Sequence, residues 1–173
     1  MEKFDLYDIH RIKTGETLER GQKIPENRYR CVIHIAVFNS KGEMLIQQRS
    51  SDKNNYQNMW DFSVGGCIQA GETSNEGAER ELSEELGLKV DFSHKQPSLT
   101  INFGSGFDDY YVTHCDIDAK DIIFQKEEVQ AVKWATKEEI KKLLSEGKFI
   151  GYRSIFVDFL FDFCKNEYGT FAK

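Results

Sequence analysis

The chain has 173 residues, of which 39% are hydrophobic and 30% charged, and it carries a net charge of −6. This fits one soluble globular domain with a substantial core and excludes the overall basic field that recruits a nucleic acid polymer. The N-terminus MEKFDLYDIH lacks an apolar leader, and no segment approaches the ~18 apolar residues of a membrane span, so a cytoplasmic location without a membrane partner is expected.

In chain order, Phe4, Leu6, Tyr7, Ile9 and Ile12 form an alternating run broken at Thr14-Gly15. That pattern predicts an N-terminal β-hairpin extension over residues 1–27. Residues 30–38 read as a buried strand, Asn39-Ser40-Lys41-Gly42 as a turn, and Met44 to Arg49 as the partner strand. A polar loop, 50–58, precedes a strand from Met59 to Val64 that runs into Gly65-Gly66. Thr73 with Glu76 makes a capping box and Gly87 a C-terminal stop, which predicts a helix between them. Strands follow near 88–92, 98–104, 108–116 and 129–134, then a short helix from Lys137 to Leu144. A terminal helix over 152–165, within a C-terminal segment 151–173, carries Phe156, Phe159, Leu160 and Phe163 on one side. Ile155, Val157 and Phe161 widen its apolar surface, and completing the core is the favoured reading over a homodimer contact. Helices among mixed strands give an α+β fold, an α/β sandwich in a single domain spanning 1–173.

Cys31, Cys67, Cys115 and Cys164 form no CxxC pair and are expected to be free thiols. His10, His34, His94 and His114 are scattered without zinc-like spacing, with His34 in its strand. The chemistry concentrates in GCIQAGETSNEGAERELSEELGL, residues 66–88. Glu81, Glu84 and Glu85 stand at i, i+3 and i+4 and share one helix face, beside an apolar stripe of Ala78, Leu82 and Leu86. Three carboxylates so close repel unless a positive charge lies among them, and a hard divalent cation with oxygen ligands is the natural neutraliser.

Gly66, Glu72, Arg80, Glu81, Leu82, Glu84, Glu85, Gly87 and Leu88 fit G-x5-E-x7-R-E-U-x-E-E-x-G-U (U, bulky aliphatic), and the segment resembles the signature of the Nudix hydrolases. The flanks YRCVIHIAVFNSKGEMLIQQRS and EEVQAVKWATKEEIKKLL are similar to the strands and helix around that box, so the resemblance spans roughly 28–145. It implies an α/β/α sandwich with a mixed sheet between helices, and hydrolysis of a diphosphate bond in a nucleoside diphosphate-linked or related small molecule, with Mg²⁺ or Mn²⁺ as cofactor. By position, it implies Glu84 and Glu85 as principal metal ligands, Glu81 as third ligand or base, and the Gly65 carbonyl as a further ligand. Glu72 and Arg80 are expected to pair and support the box at Gly66. Glu128, next to Glu127, is a candidate extra base or ligand. Arg49 is a candidate phosphate contact, and Tyr110, with Tyr111, Phe103 and Phe107, a candidate wall for the group attached to the diphosphate.

The chain departs from many such boxes at Gln69, where glutamate is common, and at Ala70, where proline is common. WDFSVGGC, 60–67, resembles the isopentenyl-diphosphate isomerase branch of the same superfamily. That branch uses a cysteine and a histidine where this chain has Gly65 and Cys67, which ranks an isomerase below a hydrolase. A non-catalytic binding module on this scaffold ranks last, because every box carboxylate is present.

Overall fold

The computed structural model describes residues 2–165. In order, the elements are β1 (Lys3–Tyr7), β2 (Lys13–Glu19), β3 (Arg30–Phe38), β4 (Met44–Arg49), β5 (Trp60–Asp61), β6 (Val64–Cys67), α1 (Ser74–Leu86), β7 (Leu99–Phe103), β8 (Gly106–His114), β9 (Val129–Ala135), α2 (Lys137–Ser145) and α3 (Ser154–Phe163). A single 3-10 turn, Ala119–Asp121, lies before β9.

The β-branched run of β3 places it at the centre of a mixed sheet whose order is β5-β4-β3-β8-β7, with β6 paired to β3 and β9 to β4. β3 runs parallel to β8 from Arg30 opposite Gly106 to Phe38 opposite His114. The other pairings are antiparallel, and β1–β2 form a separate ribbon. Alternate β3 residues face opposite layers. Ile33, Ile35 and Val37 pack with the predicted stripe Ala78, Leu82 and Leu86 of α1. Ala36 and Phe38 pack with Ile140 of α2 and with Val157 and Leu160 of α3. The result is an α+β, α/β/α sandwich with an N-terminal hairpin.

Both helix caps of α1 follow from local sequence. The Thr73 side chain accepts from the Glu76 N–H, the Glu76 side chain accepts from the Thr73 N–H, and Gly87 closes the helix at φ 63°. Other segments depart from the sequence reading. The hairpin turn falls at 8–12 rather than Thr14-Gly15, because Asp8 Oδ1 accepts both the His10 and Ile12 N–H groups at 2.9 Å. The strand expected over 59–64 is two strands. β3 and β4 share one registered pair, Phe38–Met44, and then diverge, so the returning chain pairs first with β4 and then with β3. Ser63 bridges the divergence, accepting from the Val37 N–H at 2.8 Å and donating to the Leu45 carbonyl at 2.6 Å. Residues 88–92 form no strand; Leu88 and Phe92 fill the core beneath α1, and the Phe92 N–H donates to the Glu79 side chain at 2.6 Å. The terminal helix ends at Phe163, and residues 166–173 of the expected C-terminal segment lie outside the described residues. No helix among the described residues is long and apolar enough to cross a membrane.

Candidate active site

Where β3 and β4 part, Gly65 and Gly66 of β6 line a cleft of about 250 Å³, together with Glu81, Glu84 and Glu85 of α1. Arg49, Lys53, Gln125 and Glu128 complete the far side, and Glu2 and Arg20 of the hairpin close it. All the lining residues apart from the two glycines carry polar or charged side chains. The three box carboxylates, the two glycines, Arg49 and Glu128 thus meet at one place, although Glu128 is 43 residues beyond Glu85.

Gly66 is required sterically. A Cβ built there would lie 2.2 Å from Cδ of Glu81, so only glycine lets that carboxylate rest against the strand. Arg80 organises the remainder of the box. Its Nε and Nη2 donate to the two Glu72 oxygens at 2.7 and 3.0 Å, and Nη2 also donates to the Cys67 carbonyl at 3.1 Å. Its Nη1 reaches Glu81 at 2.9 Å and Glu84 at 3.1 Å. Glu72 in turn accepts from the Gln69 N–H at 2.8 Å, which ties the loop to the helix.

Glu81 and Glu85 are 8% and 7% exposed, unusual for carboxylates. Burial pushes Glu81 above its ordinary range despite the pull of Arg80. Burial and the neighbouring Glu81 charge push Glu85 up to about 8. Gln47 of β4 opposes that shift by donating from Nε2 to Glu85 Oε2 at 2.9 Å, while Gln47 Oε1 is buried without a partner among the described residues. Two buried carboxylates side by side, with an orphaned amide oxygen beside them, form an oxygen-rich donor set suited to a hard divalent cation. Among the described residues, however, no three His, Cys, Asp or Glu side chains converge as a preformed metal cage. The reason is visible in the ion pairs: Glu84 is turned to Arg80, and Glu128 is bound by Lys53. The donor chemistry fits a cation; Glu84 and Glu128 are in non-ligating arrangements.

Tyr110 lies elsewhere. Its register opposite His34 puts it on the α3 face, stacked on the His34 ring at 4.6 Å and edge-on to Phe156 at 4.7 Å. It is a core residue rather than a wall of the cleft, and Phe107 and Tyr111 belong to the core on the α1 side. Arg49 lines the cleft and donates from Nε to the Asn55 carbonyl at 3.3 Å. Sequence reasoning missed Gln47, Lys53, Glu2 and Arg20. Only Gln47 left a signal, a glutamine at a core-facing position of MLIQQR. The four cysteines are free thiols.

The NUDIX domain family model matches residues 28–155. An uncharacterized Nudix hydrolase of Listeria monocytogenes is 43% identical over 152 residues, covering 88% of this chain and 90% of the relative. A crystal structure from Deinococcus radiodurans superposes with a TM-score of 0.75 at 27% identity, covering 92% of this chain and 99% of that one. An isopentenyl-diphosphate Δ-isomerase of Halorhodospira halophila is 34% identical over 78 residues, covering 43% of this chain and 45% of the relative.

Proposed function

Since the chain belongs to the Nudix hydrolases, we propose that it cleaves the diphosphate bond of a nucleoside diphosphate-linked or related small molecule with the help of Mg²⁺ or Mn²⁺. The observation that carries this reading is the convergence of Glu81, Glu84, Glu85 and Glu128 on one polar cleft beside Gly65-Gly66. Glu81, Glu84, Glu85 and the Gly65 carbonyl would hold the cation, with Glu84 turning away from Arg80 to do so. The cation would supply charge neutralisation at the phosphate oxygens and a lowered pKa for attacking water.

The chain's own groups supply the rest. Arg80, anchored on Glu72, keeps Glu81 in place against Gly66. Gln47 fixes the Glu85 carboxylate from the sheet side. Glu128 or Glu81 takes the proton as the water oxygen bonds to phosphorus, and the bridging P–O bond breaks to leave two phosphate-bearing products. Among the described residues no aromatic or aliphatic side chain lines the cleft, so it is matched to phosphates, and the organic part of the substrate rests outside it.

The isomerase reading has one observation in its favour, the similarity over 78 residues to an isopentenyl-diphosphate isomerase. Gly65 and Cys67 stand where that resemblance requires cysteine and histidine, and burial pushes the Cys67 thiol up, away from ready ionisation.

The test is a panel of nucleoside di- and triphosphates, nucleotide sugars, ADP-ribose, dinucleotides and isopentenyl diphosphate, assayed with Mg²⁺ and with Mn²⁺. Hydrolysis to phosphate-bearing products is expected. Glu84→Gln and Glu85→Gln each lower the rate by on the order of 100-fold or more while circular dichroism shows the fold retained. Wild-type rates in both variants under saturating Mg²⁺ disprove the metal assignment, and double-bond migration in isopentenyl diphosphate disproves the hydrolase ranking.

A further inference from the structure

The N-terminal ribbon lies before the region matched by the family, which begins at residue 28, yet it forms one wall of the cleft through Glu2 and Arg20. It is fastened there rather than resting by chance. The Ala70 N–H donates to the Lys3 carbonyl at 2.8 Å, the Gly71 N–H to Asp5 at 2.9 Å, and Lys13 Nζ to the Glu72 carbonyl at 2.9 Å. All three bonds land on the loop between β6 and α1 that carries the box. Phe4, Leu6 and Tyr7 are buried beneath the ribbon. Arg11 at its tip pairs with the fully buried Asp109, which also accepts from Ser74 at 2.5 Å and Thr100 at 2.6 Å.

Arg20 directly follows the ribbon's second strand. Its Nη1 lies 2.6 Å from Glu2, and Glu2 also accepts from the Gln69 amide at 3.3 Å. Another cation of the cleft, Lys53, comes from the 50–58 loop and is held by Glu128. Each of these two cations therefore rests on a carboxylate of the cleft. With all groups ionised, Glu2, Glu81, Glu84, Glu85 and Glu128 carry five negative charges, and Arg20, Arg49 and Lys53 carry three positive ones. The surplus of two negative charges matches one divalent cation and leaves nothing for the charge of a diphosphate. Arg49, which donates to the Asn55 carbonyl, can meet part of that charge, and Arg20 and Lys53 meet more of it by exchanging their carboxylate partners for phosphate oxygens. Arg20 is positioned for such an exchange, since its side chain is 57% exposed.

We propose that the N-terminal ribbon is a substrate-binding element, in which Arg20, acting with Lys53, grips the phosphate of the diphosphate substrate. This rests on the hydrolase reading and deepens it by adding a recognition residue from outside the family domain. Phosphate is the better partner for Arg20, because Glu2 engages the guanidinium through Nη1, whereas a phosphate takes two parallel hydrogen bonds and brings more charge. When Lys53 transfers to phosphate, Glu128 is released for water, so binding and exposure of the base occur together.

The test is isothermal titration calorimetry in Mg²⁺ with methylenediphosphonate, which binds as a diphosphate and is not hydrolysed. Arg20→Gln and Lys53→Met are each expected to weaken binding by roughly tenfold or more, the loss of one charge-assisted contact. Arg20→Lys restores part of it. Arg28→Gln, which removes a hairpin-side cation paired with Glu16 away from the cleft, leaves the affinity unchanged. If Arg20 served only to hold Glu2, Arg20→Gln would shift the melting temperature and leave the affinity at the wild-type value, and that result overturns the proposal. Failure of the wild type to bind the diphosphonate overturns it as well. Wild-type turnover on the substrate panel is measured in parallel. Turnover with unchanged Arg20→Gln affinity removes the grip and leaves the reaction standing. Weakened affinity without any turnover keeps the grip and removes the reaction.

Discussion

Gly66 and Glu81 define the site at the scale of single residues, because one exists in its observed place only through the other. A methyl group at position 66 would overlap the Glu81 carboxylate, whose carbon lies 2.2 Å from the ideal Cβ position. The carboxylate is the free end of a side chain, so the chain can fold around an alanine by moving it. Gly66→Ala is therefore expected to fold with a melting temperature near that of the wild type while losing on the order of 100-fold in rate, the scale on which a misplacement of about 1 Å is felt. Gly65→Ala is the matched comparison. Its Cβ would meet His34 Nδ1 at 3.1 Å on the other face of the sheet, so it leaves Glu81 in place and costs less activity. Equal rates in the wild type and Gly66→Ala would show that the Glu81 position has no bearing on turnover. Spacing alone revealed Glu81, Glu84 and Glu85, since three carboxylates at i, i+3 and i+4 must share a face. Gln47, the residue that fixes Glu85, was hidden because its partner lies 38 residues away.

At the scale of elements, α1 was legible at both ends and on its buried face, because caps and the apolar stripe are local properties. Its stability is correspondingly separable from the chemistry. Thr73→Ala removes the side-chain acceptor for the Glu76 N–H and half of the capping box. A loss of ~1 kcal/mol is expected, read as a melting temperature lower by about 2–4 °C, with the rate unaffected because Thr73 does not line the cleft. A large drop in rate at unchanged stability would show that the cap also aims the carboxylates. The strand expected over 59–64 was misread for a reason that periodicity does not contain. The segment changes partner from β4 to β3 halfway along, and that change opens the sheet at the cleft. Residues 88–92 misled in the opposite way. Leu88 and Phe92 are buried, as a strand's side chains would be, but no strand among the described residues pairs with this segment.

At the scale of the molecule, α3 closes the layer opposite the box helix. Val157 and Leu160 are fully buried there, whereas Phe159 is 49% exposed. Leu160→Ala is expected to lower stability by ~2–5 kcal/mol, and Phe159→Ser to change it by less than ~0.5 kcal/mol, both by urea denaturation. A large effect of Phe159→Ser in the monomer would show that the exposed ring contributes to the core. Tyr110 also belongs to this scale. The sequence offered it as a wall of the substrate site, but the parallel pairing of β3 and β8 turned it on to His34 and beneath α3. The resemblance carried by residues 66–88 already implied the family and the α/β/α layering, and short-range spacing located the box helix and the carboxylates on its face. The fold alone brings Glu128, Lys53 and Arg49 opposite those carboxylates. It also decided that the ribbon outside the family domain delivers Glu2 and Arg20 to the same cleft. Contacts between segments distant along the chain are set by strand pairing and packing, and no local pattern encodes where such segments meet.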